Sequence, residues 1–438
     1  MTPAVGYTET KDSGVPWILS IPAHWKVCRL KDLFSFGKGL PITKADLIEH
    51  GIPVISYGQI HSKTNTGTHL SKELCRYVSE DYLRTNPTCV LQEGDIVLAD
   101  TSEDLEGLEN AALNDMPSTV FAGYHTIILR PIVKGFSKYC AYLFRSGSWR
   151  SQLRASASGI KVFSVTQRML RSCSVVLPPY DDMQRITDFL DTQCAKIDEI
   201  IAEAKASIED YKQWKASIIY EAVTKGLDPN AEMKDSGIEW IGEIPKGWNI
   251  AKAGMLFKEF IRPYCKGDKP LSLSQQDGLV PTDEMKESSL KTASYDNWKR
   301  VYLDDLVLNR FKAHLGVFFA SRYVGCVSFH YGVYHAIRSD VVPKYYEYLF
   351  HSPHYKSLFA QLSNGITVGL QNLSNRNFYS AYVHFPDYET QVEIVDFLEK
   401  KCSELESLIV EKRLLIDDLE AYKKSLIYEV VTGKRRVC

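Results

Sequence analysis

The chain has 438 residues, long enough to bury two or three separate cores. It is 45% hydrophobic and 24% charged, with a formal net charge of −2. It has no long apolar run and no basic-then-apolar start, so neither secretion nor membrane insertion is indicated and a cytoplasmic globular protein is expected. Its 10 cysteines contain no C-x-x-C pair. Reduced, buried thiols are therefore expected in place of disulfides, and no metal site is expected.

In chain order, the first distinctive stretch is DSGVPWILSIPAHW, Asp12 to Trp25. It returns as DSGIEWIGEIPKGW, Asp235 to Trp248, with the same Asp-Ser-Gly, Trp-Ile, Ile-Pro and final Trp. The block that follows reads as mixed α/β with many short strands. FGKG at 36–39 lacks the strand-to-helix setting of a nucleotide loop. CVLQEGDIVLAD, 89–100, reads as two strand pieces around a Glu-Gly-Asp turn, and YHTIILRP, 124–131, as a strand stopped by proline. VLPPYDD, 176–182, approaches the Asn/Asp-Pro-Pro-Tyr motif with which amino-methyltransferases hold a target amino group. Leu177 stands where the acceptor is needed, so a strand end and helix start are expected instead.

Proline and glycine are absent from Tyr180 to Lys225 and again from Asp387 to Thr432, and each run stops at a glycine, Gly226 or Gly433, suited to a helix C-terminus. Leu190, Cys194, Ile197, Ile201, Ala204, Ile208, Tyr211, Lys215 and Ile218 recur in steps of four and three. So do Leu398, Cys402, Leu405, Ile409, Lys412, Ile416, Leu419, Lys423 and Leu426. This is the 3.5-residue period of a coiled-coil seam, and two such helices in one chain predict that they pair with each other. Antiparallel pairing would put the blocks at opposite ends about a pseudo-twofold axis. Parallel pairing, or pairing with another chain, is the competing arrangement.

The second block, 235–385, repeats the frame: DDLVLNRFK (304–312) matches GDIVLADTS (94–102), and VYHAIRSD (333–340) matches GYHTIILR (123–130). On that alignment His125 and His335 occupy matching strand positions, which predicts a structural role for both. The residues after the shared strand differ, Ala-Asp-Thr-Ser against Asn-Arg-Phe-Lys. Residues 12–178 carry 18 Lys+Arg against 15 Asp+Glu and 235–385 carry 17 against 14, while the helical segments are acidic. Two copies of one frame with different polar tips suit a protein that reads two sites on an extended ligand, and duplex DNA is such a ligand.

The paired openings, GDIVLAD, YHTIILRP, LPPYDDMQRITDFLD and YKQWKASIIYEAVTKG closely resemble the specificity subunits of type I restriction-modification systems, over about Tyr7 to Arg436. The resemblance implies an α+β (mixed α/β) fold of two pseudo-symmetric globular target recognition domains separated by two long helices forming an antiparallel coiled coil. The domains would be 1–178, a first recognition domain; 179–234, the first long helix and linker; 235–385, the second recognition domain; and 386–438, the second long helix. Each recognition domain would read one half of an asymmetric bipartite DNA target. The helix pair would set the spacer and dock two methyltransferase subunits, which motor-nuclease subunits would join. The chain itself would be non-catalytic and cofactor-free, with S-adenosylmethionine and ATP on the partner subunits. A non-catalytic coiled-coil interaction scaffold is the alternative.

For base contacts the differing loops offer Tyr57, Gln59, Lys63, Thr101, Ser102 and Lys161 in the first domain. In the second they offer Gln275, Gln276, Asn309, Arg310, Lys312, Thr367 and Gln371. Arg and Lys suit guanine acceptors, Gln and Asn suit adenine, and Lys otherwise suits phosphate. Glu203, Glu209, Asp210, Glu411, Asp417 and Asp418 would repel DNA and are expected to face solvent or a protein subunit.

Overall fold

The structure is a computed structural model that describes residues 6–104, 107, 110–155, 163–275, 278–285, 295, 297–363 and 372–437. The chain forms two compact units, Met1–Ala204 with Leu414–Cys438 and Lys205–Arg413.

In the first unit the opening phrase makes a hairpin, Thr10–Asp12 against Ser20–Pro22. Asp12 Oδ1 accepts from Gly14 N and Ser13 Oγ from Val15 N, which holds the turn, and Trp25 is fully buried beneath it. The second unit repeats the device: Met233–Asp235 pairs Glu243–Pro245, Asp235 and Ser236 accept from Gly237 N and Ile238 N, and Trp248 is buried. Gly14 and Gly237 both have positive φ, so the repeated Asp-Ser-Gly is a turn requirement.

Each unit is built on a four-stranded antiparallel sheet of the same topology. In the first, β1 (Phe34–Lys38), β2 (Ile96–Ala99), β3 (Ala111–Leu113) and β4 (Thr126–Pro131) lie in the order β1-β4-β2-β3. In the second, β5 (Phe257–Glu259), β6 (Leu306–Asn309), β7 (Phe318–Ala320) and β8 (Tyr331–Ala336) lie in the order β5-β8-β6-β7. FGKG belongs to β1 and its end. A Cβ on Gly39 would sit 1.8 Å from the Gly123 carbonyl oxygen, so this glycine serves close packing.

Strand register corrects the sequence alignment of the two histidines. Leu129 pairs Ile96 and Tyr334 pairs Leu306, so with Asp95 equivalent to Asp305 the counterpart of His335 is Arg130, and the counterpart of His125 is His330. The shared Tyr-His letters are offset by five residues. Arg130 and His335 meet equivalent buried carboxylates, Asp95 and Asp305. Arg130 Nη2 donates to Asp95 at 2.8 Å, whereas Asp305 takes Arg262 at 2.6 Å and His335 Nδ1 at 3.3 Å.

A short ladder closes each unit, Lys26–Arg29 with Ser174–Leu177 and Asn249–Lys252 with Tyr382–Phe385. VLPPYDD is thus the end of one strand and the start of the helix α1 (Tyr180–Lys225); the second long helix is α2 (Tyr388–Val431). Both stop at glycines of positive φ, Gly226 and Gly433. Along the seam Leu190, Ile197, Ile201, Ile208, Leu398, Leu405, Ile409, Ile416 and Leu426 are buried and Ile218 is partly buried.

The helices run antiparallel within each unit. In the first, Cys194 and Asp198 line one pocket with Ile427 and Lys423, and Lys423 Nζ bonds Asp198 at 2.6 Å. In the second, Lys215 bonds Glu406 at 2.5 Å while Ala222 and Val223 share a core with Leu398 and Ile394. These two ion pairs are the same pair in each copy, formed by seam lysines that bury their stems and reach across. The Tyr139 hydroxyl donates to the Val431 carbonyl at 2.8 Å and the Tyr345 hydroxyl to the Val223 carbonyl at 2.9 Å. Each block therefore holds the C-terminal turn of the helix that follows the other block.

Candidate nucleic-acid interface

The frames diverge where β2 and β6 end. In the first unit the chain continues as strand Thr101–Ser102, paired with Phe163–Ser164. Tyr57 packs edge-on against His61, Tyr124 and His125, with centroids 5.5 to 6.1 Å apart. His61 Nε2 lies 2.8 Å from the Thr101 carbonyl and its Nδ1 3.3 Å from Asn110 Nδ2, which fixes the ring beside the strand. The structure thus brings Tyr57 and Thr101 together through His61. Gln59 Oε1 accepts from Ser56 N at the start of the Tyr57–Ile60 turn, and the residue is partly exposed. Lys63 is exposed, while Ser102 is buried and its Oγ accepts from Asp104 N.

In the second unit β6 leads into a 3₁₀ segment, Arg310–Leu315, started by Asn309, whose Oδ1 accepts from Phe311 N. Arg310 Nη2 donates to Glu259 at 2.7 Å. The same carboxylate takes Lys299 at 2.8 Å and Asn375 at 2.5 Å. Burial alone would raise the Glu259 pKa, but these hydrogen bonds outweigh it and hold the carboxylate below its ordinary range. The counterpart of Glu259 in the first unit is Phe36, over whose ring Arg171 sits at 4.6 Å. Lys312 and Gln275 are exposed. Lys161, Gln276, Thr367 and Gln371 lie outside the described residues.

Sequence reading missed a basic cluster in the first unit, where Arg29, Lys31, Arg168, Arg171 and Ser172 line an open concavity of about 470 Å³. The pairing of Lys26–Arg29 with Ser174–Leu177 assembles it from segments far apart in the chain, and Arg29 Nη1 donates to the Ser172 carbonyl at 2.6 Å. No local motif marks it, since each segment is only ordinarily basic. Four cations with no acidic residue in the lining suit a phosphate backbone. The acidic residues Glu203, Glu209, Asp210, Glu411, Asp417 and Asp418 are exposed on the helices. No group of three or more His, Cys, Asp or Glu residues able to hold a metal occurs among the described residues.

Comparison with known proteins points in one direction. Residues 22–210 match the type I restriction modification DNA specificity domain. A putative type I restriction enzyme MjaX specificity subunit of Methanocaldococcus jannaschii is 22% identical over 95% of both chains. The type I restriction enzyme EcoKI specificity subunit of Escherichia coli is 21% identical over 87% of this chain and 82% of its own. Over nearly its whole length the chain is similar to type I restriction-modification specificity subunits. Its fold is shared with solved structures. A chain in a structure describing complex assembly and conformational transition of the type I R-M system is similar at TM-score 0.66 and 15% identity, over 94% of this chain and 98% of that one. The HsdS subunit of Thermoanaerobacter tengcongensis is similar at TM-score 0.53 and 14% identity over the same shares. No helix among the described residues is long and apolar enough to cross a membrane.

Proposed function

We propose that this chain is the DNA-reading subunit of a type I restriction-modification complex, with one recognition domain in each unit and an asymmetric bipartite target. The observation that carries this reading is the repeated β1-β4-β2-β3 frame whose tips differ, a strand at Thr101–Ser102 in one copy and a 3₁₀ segment at Arg310–Leu315 in the other. A shared frame with unlike tips reads unlike half-sites. In the first domain Tyr57, Gln59, Lys63, Thr101 and Lys161 contact bases and the Arg29, Lys31, Arg168, Arg171 cluster holds phosphates. In the second, Gln275, Gln276, Asn309, Lys312, Thr367 and Gln371 contact bases, and Glu259 positions Arg310 for a guanine edge through the guanidinium face it leaves open. The helix pair sets the unread spacer and docks two methyltransferase subunits, with motor-nuclease subunits joining them. Methyl transfer and cleavage, with S-adenosylmethionine and ATP, belong to those partners, and the complex works in the cytoplasm.

The test is sequencing of methylated bases in DNA from cells expressing this chain with its methyltransferase partner. A new asymmetric bipartite motif with a fixed gap is expected. Replacing 12–178 by the equivalent domain of a relative should change one half-site only. Methylation without any motif, or a change in both half-sites, would overturn the reading in favour of a protein scaffold or of non-independent domains.

A further inference from the structure

The second unit contains a basic pocket whose lining includes none of Glu259, Lys299, Arg310 and Asn375. It has a volume of about 300 Å³ and is lined by Lys212, Lys215, Lys356, His351, Ser352 and Gln275, with Ile219, Leu315 and Phe319 as apolar walls and no acidic residue in the lining. Lys215 and Lys212 already have carboxylates outside the lining, Glu406 and Glu209. Lys356 has no ion-pair partner among the described residues, is half-buried, and burial draws its pKa below the ordinary value. Gly316, at φ +75°, lets it lie there, since a Cβ at that position would stand 2.5 Å from Lys356 Cε.

Two residues of that lining each carry a buried polar atom with no hydrogen-bond partner among the described residues, His351 Nε2 and Ser352 Oγ. Ser352 is 2% exposed and occupies the cap position of the helix Pro353–Leu362, yet its hydroxyl makes no cap bond. The free N–H groups at the start of that helix favour an anion at the same place. His351 also hydrogen-bonds the Phe318 backbone and is held neutral by burial, so its Nε2 is an acceptor. The first unit resolves the same corner internally. Ser146, the counterpart of Ser352, donates to the Leu143 carbonyl at 2.6 Å and accepts from Trp149 N. There Lys138, Arg145 and Lys423 share a pocket with Asp115, Asp191 and Asp198.

We infer that the pocket of the second unit is a site for a phosphate-class oxyanion that carries its own proton. Lys356 and the Ser352 hydroxyl donate to the anion, and Lys215 and Lys212 flank it. The His351 Nε2 accepts a hydrogen bond from the P–OH, so hydrogen phosphate fits better than sulfate or a phosphodiester, neither of which has that donor.

The test is calorimetric titration of the full chain with sodium phosphate, sodium sulfate and dimethyl phosphate at pH 7 in chloride of matched ionic strength. Saturable 1:1 binding of phosphate is expected, several-fold tighter than sulfate. Lys356→Met should weaken it roughly tenfold or more and Ser352→Ala a few-fold, while the remote Lys424→Met leaves it unchanged. Lys356→Arg, which keeps the charge, should retain most of the affinity and guards against a folding defect. Absence of saturable phosphate binding, or full affinity in a folded Lys356→Met protein, would overturn the site, and equal binding of sulfate would overturn the role of His351. The titration needs no DNA, so its failure leaves the DNA-reading role untouched.

Discussion

His384, 3% exposed, lies in the strand Tyr382–Phe385 with Nδ1 3.0 Å from the Tyr355 hydroxyl, and burial, then His354, brings its pKa down from 6.5 to about 4. His351 is brought to about 4 as well, by burial first and then by Lys356, Lys344 and Lys215. An imidazole whose folded pKa lies below its unfolded value stabilises the fold fully above about pH 6.5. The contribution is lost as pH falls towards 4, because the unfolded chain takes the proton first. Each histidine should cost on the order of 2 kcal/mol by pH 5. Hydrogen exchange at pH 7 and pH 5 should therefore show faster opening of β6 and β8 at the lower pH. Glu347, whose pKa burial raises, acts with the opposite sign, so His384→Phe is the discriminating variant: its stability should fall less steeply between the two pH values. An unchanged slope would mean that His384 is not held neutral. At this scale the sequence was only partly legible. The seam residues follow from period alone, but the strand partners of His335 and the Glu259 cluster depend on register, and a repeated Tyr-His pair points to a register wrong by five residues.

The long helices were the most legible elements, because an unbroken proline- and glycine-free run with a 3.5-residue period has few other solutions. The structural helices begin and end within a residue of those runs. Their lysines at seam positions read as interruptions in the sequence, yet Lys215 and Lys423 each find the equivalent carboxylate of the opposite helix. Short strands were less legible: β3 and β7 are three residues each and carry no period of their own. The antiparallel seam makes a specific forecast. Inserting one seven-residue heptad after Ala206 and another after Leu414, equivalent positions of the two helices, keeps the stripe continuous and adds roughly 10 Å of helix. The methylated motif should keep both half-sites and gain a spacer longer by up to about three base pairs. The same insertion in one helix alone breaks the register and should lower the melting temperature. Altered half-site bases in the double insertion would refute a spacer role for the helices.

At the scale of the whole molecule the repeat closes on itself. Gly226, after α1, packs against Trp248 and Pro245 of the second phrase, with the chain continuing through 227–232 into Met233–Asp235. Gly433, after α2, packs in the same way against Pro22 and Trp25 of the first phrase, and Lys434 Nζ donates to the Ser20 carbonyl at 2.6 Å and lies 3.1 Å from its hydroxyl. One junction is covalent and its equivalent is held by packing and the Lys434–Ser20 hydrogen bonds. Joining residue 437 to residue 6 through a short Gly/Ser linker and opening the chain between Asp228 and Asn230 should therefore exchange which junction is covalent and leave the contacts in place. The opened segment is exposed, and the hydrogen bonds there are local, from Asn230 N to Asp228 Oδ1 and from Ala231 N to the Asp228 carbonyl, so little is lost there. The permuted chain should fold with a melting temperature within a few degrees of the parent and, with its methyltransferase partner, methylate the same bipartite motif. A folded permutant that specified a different motif would show that the order of blocks along the chain, and not the contacts each block makes with the helix ends, decides what is read.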